Sequence, residues 1–127
     1  LTASAETVEQ YARLTGDVNP VHLDDSYAAR SFFKKRVGHG MLAAGLISAV
    51  LGTRLPGPGT IYLNQELEFK RPIFLDEIIT ARVRVLEKYD RQEKIKLRTW
   101  VENQSGRLIL DGAALILLRP SADGRSV

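Results

Sequence analysis

Cysteine is absent from this chain of 127 residues. Its absence excludes disulfides and thiolate catalysis. Histidine is nearly absent too: there are two, well separated, which argues against a structural zinc site. Neither sign of charge dominates. The formal net charge is +3, and the basic residues alternate with acids instead of interleaving with aromatics, so nucleic-acid binding is not expected. No apolar run reaches transmembrane length and no signal peptide is visible. The expectation is therefore no membrane partner and a cytoplasmic place, or the mitochondrial matrix in a eukaryote. The chain also lacks an initiating methionine and opens at Leu1, already near a helix start.

What is present is enough for a core. Hydrophobic residues make up 44% of the chain, and the length suits one domain. That domain is expected over 1–120, followed by a polar tail at 121–127.

Thr2 or Ser4 can cap a first helix running to about Leu14, with Val8, Ala12 and Thr15 on one face and Tyr11 beside them. A second short helix is expected from Asp24 to Ser31, with Asp24 and Asp25 favourable at its positive end. Met41 to Leu51 is apolar on every face, with Ser48 its only polar side chain, and such a helix calls for burial all round. Gly52 and the run Pro56-Gly57-Pro58-Gly59 end it. The remainder reads as antiparallel strands. Ile61, Leu63, Leu67 and Phe69 alternate with Tyr62, Asn64, Glu66 and Glu68. Ile79, Ala81, Val83 and Val85 form the next apolar face, and Ile95, Leu97, Thr99 and Val101 another. Leu108 to Leu118 is apolar on both faces near its end, which suggests a central position or a subunit contact. The pattern predicts an α+β fold: an antiparallel sheet curled around a buried helix.

The most informative stretch is Leu14 to Asp24. Gly16 can end the first helix in a left-handed conformation, and Pro20 prevents its continuation while pushing Asn19 into an extended one. Asp17 and His22 are then held on a rigid segment, where a carboxylate and an imidazole could share one water and exchange protons with it. The same residues also make an ordinary helix stop and turn. His22 weighs towards chemistry, because the only other histidine, His39, stands in Gly38-His39-Gly40, directly before the most apolar helix.

Gly16-Asp17-Val18-Asn19-Pro20-Val21-His22 resembles the hydratase-2 motif of the MaoC-like, R-specific enoyl-CoA hydratases. Val37-Gly38-His39-Gly40-Met41-Leu42 resembles their second signature. Leu46 to Thr53, with the turn Leu55-Pro56-Gly57-Pro58-Gly59, is similar to their central helix and its end. The resemblance runs from about Thr2 to Pro120, with the motifs in order and at the right spacing. It extends to the short hydratases of polyhydroxyalkanoate metabolism and to the mitochondrial 3-hydroxyacyl-thioester dehydratase.

The resemblance implies a hotdog fold that pairs as a homodimer, and a lyase that adds water across the 2,3 double bond of a trans-2-enoyl-CoA. Equally, it would dehydrate an (R)-3-hydroxyacyl thioester. No metal and no cofactor are implied. Asp17 and His22 would be catalytic, Asn19 and Ser48 supporting. The backbone N–H at Gly40, where a helix start leaves donors without partners, would hold the thioester oxyanion. Related hydratases carry a strand before this start, so the chain is expected to be trimmed or part of a longer protein. Lys34, Lys35 and Arg36, after Phe32 and Phe33, read either as a solvated loop or as a coenzyme A phosphate contact. His39 reads as a loop histidine, a carbonyl contact or a group behind the catalytic pair. Gln65, which interrupts an apolar strand face, would line the pocket or a subunit contact.

Three alternatives stay open. The carrier could be acyl carrier protein, making the chain a 3-hydroxyacyl-ACP dehydratase. It could be a non-catalytic acyl-thioester-binding hotdog domain of a larger protein, although the intact Asp17 and His22 argue against that. A hotdog thioesterase usually wants a carboxylate on or near the central helix, and Met41 to Leu51 contains none.

Overall fold

The structure is a computed structural model that describes residues 1–119. The polar tail expected at 121–127 lies outside the described residues.

Helix α1 (Ala5–Thr15) starts at Ser4, whose hydroxyl accepts the Thr7 N–H at 3.1 Å and satisfies one of the donors a helix start leaves free. It ends at Gly16, which sits at φ +80° and returns its N–H to the Ala12 carbonyl. Val8 and Ala12 are buried as the spacing predicts. Thr15 is not. It stands exposed, its hydroxyl donating to the Tyr11 carbonyl at 2.8 Å and accepting the Asp17 N–H at 3.2 Å. Asn19 is extended, as Pro20 requires. Beyond it the chain turns into a further short helix, α2 (Pro20–Leu23), since proline fits the first helical position, where its missing N–H is not needed. Helix α3 (Asp25–Ala29) follows, capped by Asp24, and is shorter than the spacing suggests.

Strand β1 (Val37–Gly38) leads into the long helix α4 (Gly40–Thr53). Strands β2 (Thr60–Phe69) and β3 (Ile73–Phe74) come next, and β3 pairs antiparallel with β1. Strands β4 (Thr80–Tyr89), β5 (Lys94–Glu102) and β6 (Leu108–Leu118) complete an antiparallel four-stranded sheet in the order β2-β6-β5-β4.

The sheet wraps α4. From the helix come Ala43, Ile47 and Leu51, spaced four apart on one buried face. Against them lie Ile95, Leu97 and Val101 of β5 and Leu110, Ala114 and Ile116 of β6, cross-strand partners in register. Each fully buried Ile or Leu contributes about 1.5–3 kcal/mol over an exposed one. Strand β6 is central in the sheet, with a strand on each side; towards its end Ala114 and Ile116 are buried against α4, while Leu115 and Leu117 on the other face are half-buried.

Two expectations are corrected. The first is the alternation along β2. A bulge between Tyr62 and Asn64 inserts Leu63, so Tyr62, Gln65, Leu67 and Phe69 share the inner side, opposite Ile116, Ala114, Gly112 and Leu110. Ile61 and Leu63 stay 45% exposed. A strict period of two cannot carry a face across an inserted residue. The second is burial of the central helix all round. Its sheet-facing side is buried, but Met41 is 56% exposed and Gly45, Ser48 and Ala49 are open as well, because one sheet covers one side only.

Gln65 serves packing, not the pocket mouth. Its amide N–H₂ is offered to the Thr99 hydroxyl at 2.9 Å and the Ala113 carbonyl at 3.2 Å, and its carbonyl accepts from Tyr62. Thr99, wholly buried, is thereby satisfied. Next to Gln65, β2 approaches β6 closely at Gly112, where an added Cβ would lie 1.8 Å from the Glu66 carbonyl oxygen.

Candidate active site

The segment from Gly16 to His22 is laid down by short-range bonds. Thr15 Oγ1 holds the Asp17 N–H, an Asp17 carboxylate oxygen accepts the Asn19 N–H at 3.3 Å, and Asn19 Oδ1 accepts the Val21 N–H at 3.2 Å. Asn19 thus fixes the turn that delivers His22, through its side-chain oxygen. On α2, His22 is half-buried, and three other segments meet it. Its Nδ1 lies 2.7 Å from the Val37 carbonyl on β1 and donates to it. Arg36 Nε donates to the His22 carbonyl at 2.8 Å. The ring of His39, the residue capping α4, stacks on it with centroids 3.8 Å apart.

These contacts set the tautomer. With Nδ1–H given to Val37, neutral His22 presents a bare Nε2. Burial lowers its pKa below 6.5, and His39 pushes the same way. The Val37 carbonyl and Asp17 oppose, more weakly than burial does. His22 is therefore a neutral base at neutral pH. Asp17 stands beside it, exposed. A carboxylate oxygen of Asp17 and one ring nitrogen from each histidine lie within 4.8 Å of one another. That spacing would also suit a cation, since each ring gives only one of its nitrogens to a carbonyl.

His39 is the residue whose part was least legible. It is 2% exposed, and its Nε2 donates to the Asp17 backbone carbonyl at 3.0 Å. Tyr11 packs on it at 4.6 Å between centroids. Its Nδ1 is buried without a hydrogen-bond partner, a condition that costs roughly 1–3 kcal/mol.

His22 and Gly40 line one cleft of about 390 Å³, together with Asn19, Phe33, Phe69 and Arg71. Gly40 opens α4 with no side-chain cap on its first turn, so backbone donors face this region with the positive end of the helix. An added Cβ at position 40 would come within 2.8 Å of the Phe69 ring. Ser48 is not brought here: it lies on the open side of α4, about 12 Å along the axis from Gly40 at 1.5 Å per residue. Of the basic run after Phe33, Lys35 packs over the Phe74 ring and Arg36 ties His22, while Lys34 lies outside the cleft lining. Lys70 and Arg71 supply the basic rim instead, a placement that the register of β2 determines and no local motif announces.

An antiparallel sheet wrapped on an apolar helix, with an acid and an imidazole gathered at the start of that helix, defines a hotdog-fold lyase. The chain belongs to the family described as MaoC like domain, whose model matches residues 1–106. It is 42% identical over 117 residues to the (R)-specific enoyl-CoA hydratase of Rhodospirillum rubrum, covering 92% of this chain and 81% of that protein. A mitochondrial 3-hydroxyacyl-(acyl-carrier-protein) dehydratase of Solanum lycopersicum is 33% identical over 119 residues, covering 92% of this chain and 71% of that protein. Among solved structures, the (R)-hydratase from A. caviae involved in PHA biosynthesis superposes with a TM-score of 0.89 at 39% identity, covering 94% of this chain and 90% of that one.

Proposed function

We propose that residues 1–120 form one hydratase domain that adds water to a trans-2-enoyl-CoA to give the (R)-3-hydroxyacyl thioester, and removes it in reverse. The observation that carries this reading is a neutral His22 with its Nε2 bare, gathered with the Asp17 carboxylate and lining a cleft that also holds the uncapped start of α4; Asp17 itself stands outside that lining. Water held between Asp17 and His22 loses a proton to the pair as its oxygen bonds to C3. The double-bond electrons move towards the thioester oxygen, where the Gly40 N–H meets the growing negative charge. C2 then takes a proton from the same pair, so one water is added and both groups return to their starting state. Asn19 keeps the turn in shape. Ser48 keeps the supporting part beside the pair that the resemblance implies, although in this chain it lies on the open face of α4 away from the cleft.

The names of the relatives support the reaction and both carriers. Lys70 and Arg71 on the cleft rim suit the phosphates of coenzyme A, which we take as the carrier. A chain that uses acyl-CoA belongs where that thioester is made, the cytoplasm or, in a eukaryote, the mitochondrial matrix. Among the described residues no helix is long and apolar enough to cross a membrane.

We take the active form to be a homodimer. The two outer strands differ: β4 carries Arg82 and Arg84 outward, which discourages pairing, whereas β2 leaves Ile61, Leu63 and Phe69 exposed. A second copy set against β2 would cover that edge and bring the open side of α4 under cover.

Hydration of crotonyl-CoA and longer enoyl-CoAs, with the product resolved on a chiral column, tests the reaction. R product without added metal is expected; S product or no hydration overturns it. Kinetics on crotonyl-CoA against crotonyl-ACP test the carrier, and sedimentation at low micromolar concentration tests the dimer, which a catalytically competent monomer defeats.

A further inference from the structure

His39 takes no part in the reaction just described, yet it touches both groups that do. Its Nε2–H is bonded to the Asp17 backbone carbonyl, and its ring backs the His22 ring at 3.8 Å. Asp17 and His22 belong to a surface loop and a helix of four residues, which have little packing of their own to keep them in register. His39 belongs to the start of α4, whose next turns carry the buried Ala43 and Ile47. It is thus the link between an exposed surface segment and the helix that carries the buried core. An apolar residue would fill the same space without stranding Nδ1 in the interior. Such local inconsistency is expected where function overrides stability.

We propose that His39 is a positioning residue: bonded to the Asp17 backbone and stacked on the His22 ring, it sets the distance between acid and imidazole and keeps the imidazole face against the core. The proposal rests on the reading of Asp17 and His22 as the catalytic pair.

Two variants separate its two contacts. His39→Gln places an amide N–H where Nε2–H stood and removes the ring. His39→Phe keeps a ring and removes the donor. In crotonyl-CoA hydration both are expected to lower kcat with KM within about twofold, His39→Phe by about 10²-fold and His39→Gln by about tenfold, the scale of a misplaced general acid–base pair. Nitrogen-15 NMR titration of the imidazoles reads the same contact without turnover. Around His22 the groups that face it are Asp17 from the loop, His39 from α4, the Val37 carbonyl from β1, and Arg36, bonded to its own carbonyl and 3.9 Å from Glu9 of α1. Of these, His39 disfavours the imidazolium, so the His22 midpoint should move up in both variants, and the acid limb of kcat/KM with it. Folded variants with wild-type kcat and an unmoved His22 midpoint overturn the proposal. So does a loss that falls on KM alone, or equally on both variants with no change in the titration. If His39→Phe fails to fold, His39→Gln decides by the same midpoint. If the wild type hydrates nothing, the proposed function fails, while the titration still tests the linkage.

Discussion

The start of α4 and its middle are held by opposite means. At the start, side chains reach backbone carbonyls: His22 to Val37, His39 to Asp17, Arg36 to His22. Little apolar surface is involved, and Asp17 is in the open. Two turns on, Ile47 and Leu51 sit against β5 and β6 with no polar partner at all. The first arrangement spends stability on orientation, since each such bond adds little to folding while fixing an angle. The second is indifferent to orientation and supplies the folding energy. Damage to one should therefore register as rate, and damage to the other as stability.

The sharpest test is at the polar end. Asp17→Asn keeps size and hydrogen bonding, and His22→Asn keeps a donor at the position of Nδ1 that faces the Val37 carbonyl, but neither can move the proton, so each should lower kcat by about 10²–10⁴-fold. Thermal melts should coincide with the wild type. A melt that falls with the rate would mean that the pair also holds the fold, and the division would collapse. At the apolar end, Ile47→Ala should cost about 2–5 kcal/mol in urea unfolding, with kcat of the folded fraction nearly intact. Gly40→Ala stands on the boundary. Its methyl would meet the Phe69 ring, so overpacking of about 1–3 kcal/mol should appear together with a loss of rate, the one substitution expected to move both readouts.

The pH profile comes next. Neutral His22 is the active form, and burial lowers its pKa. The rate should hold as pH falls through 6.5 and decline only below it, about tenfold per unit once His22 is protonated. A decline centred above 6.5 would mean that a different group sets the limb. Ser48→Ala should be mildest, within about ±0.5 kcal/mol in stability because the residue is exposed, and with a rate loss well short of that of Asp17→Asn. A loss as large would show that the open face of α4 joins the chemistry when a second copy covers it.

Much of this was legible beforehand, and the exceptions share a cause. The all-round apolar composition of α4 could not show that one side stays open, whereas the apolar period of β5 and the caps of α1 are local, and the structure follows them. So was the candidate pair, because Gly16, Pro20 and the scarcity of histidine isolate Asp17 and His22 within seven residues. The bulge at Leu63 was hidden, since only pairing with β6 shows which residue is in excess. The contact of His39 with Asp17 was hidden by the chain between them, and Arg71 reaches the cleft only through the sheet. Thr15 misled for another reason: its spacing fitted the helix face, but a hydroxyl at a helix end has carbonyls and N–H groups to bind.

The close approach of Gly40 to Phe69 carries a lesson for redesign. Two walls meet at the mouth of the cleft, and one is easier to alter than the other. Position 40 is tight while the Phe69 ring stays where it is, since an added Cβ would come within 2.8 Å of it. Position 69 is the adjustable wall: Phe69 is 55% exposed, and a smaller residue would widen the entrance without touching the helix start. Variation that tunes which acyl thioesters this chain accepts should therefore accumulate on the sheet side of the cleft, while the helix side stays fixed.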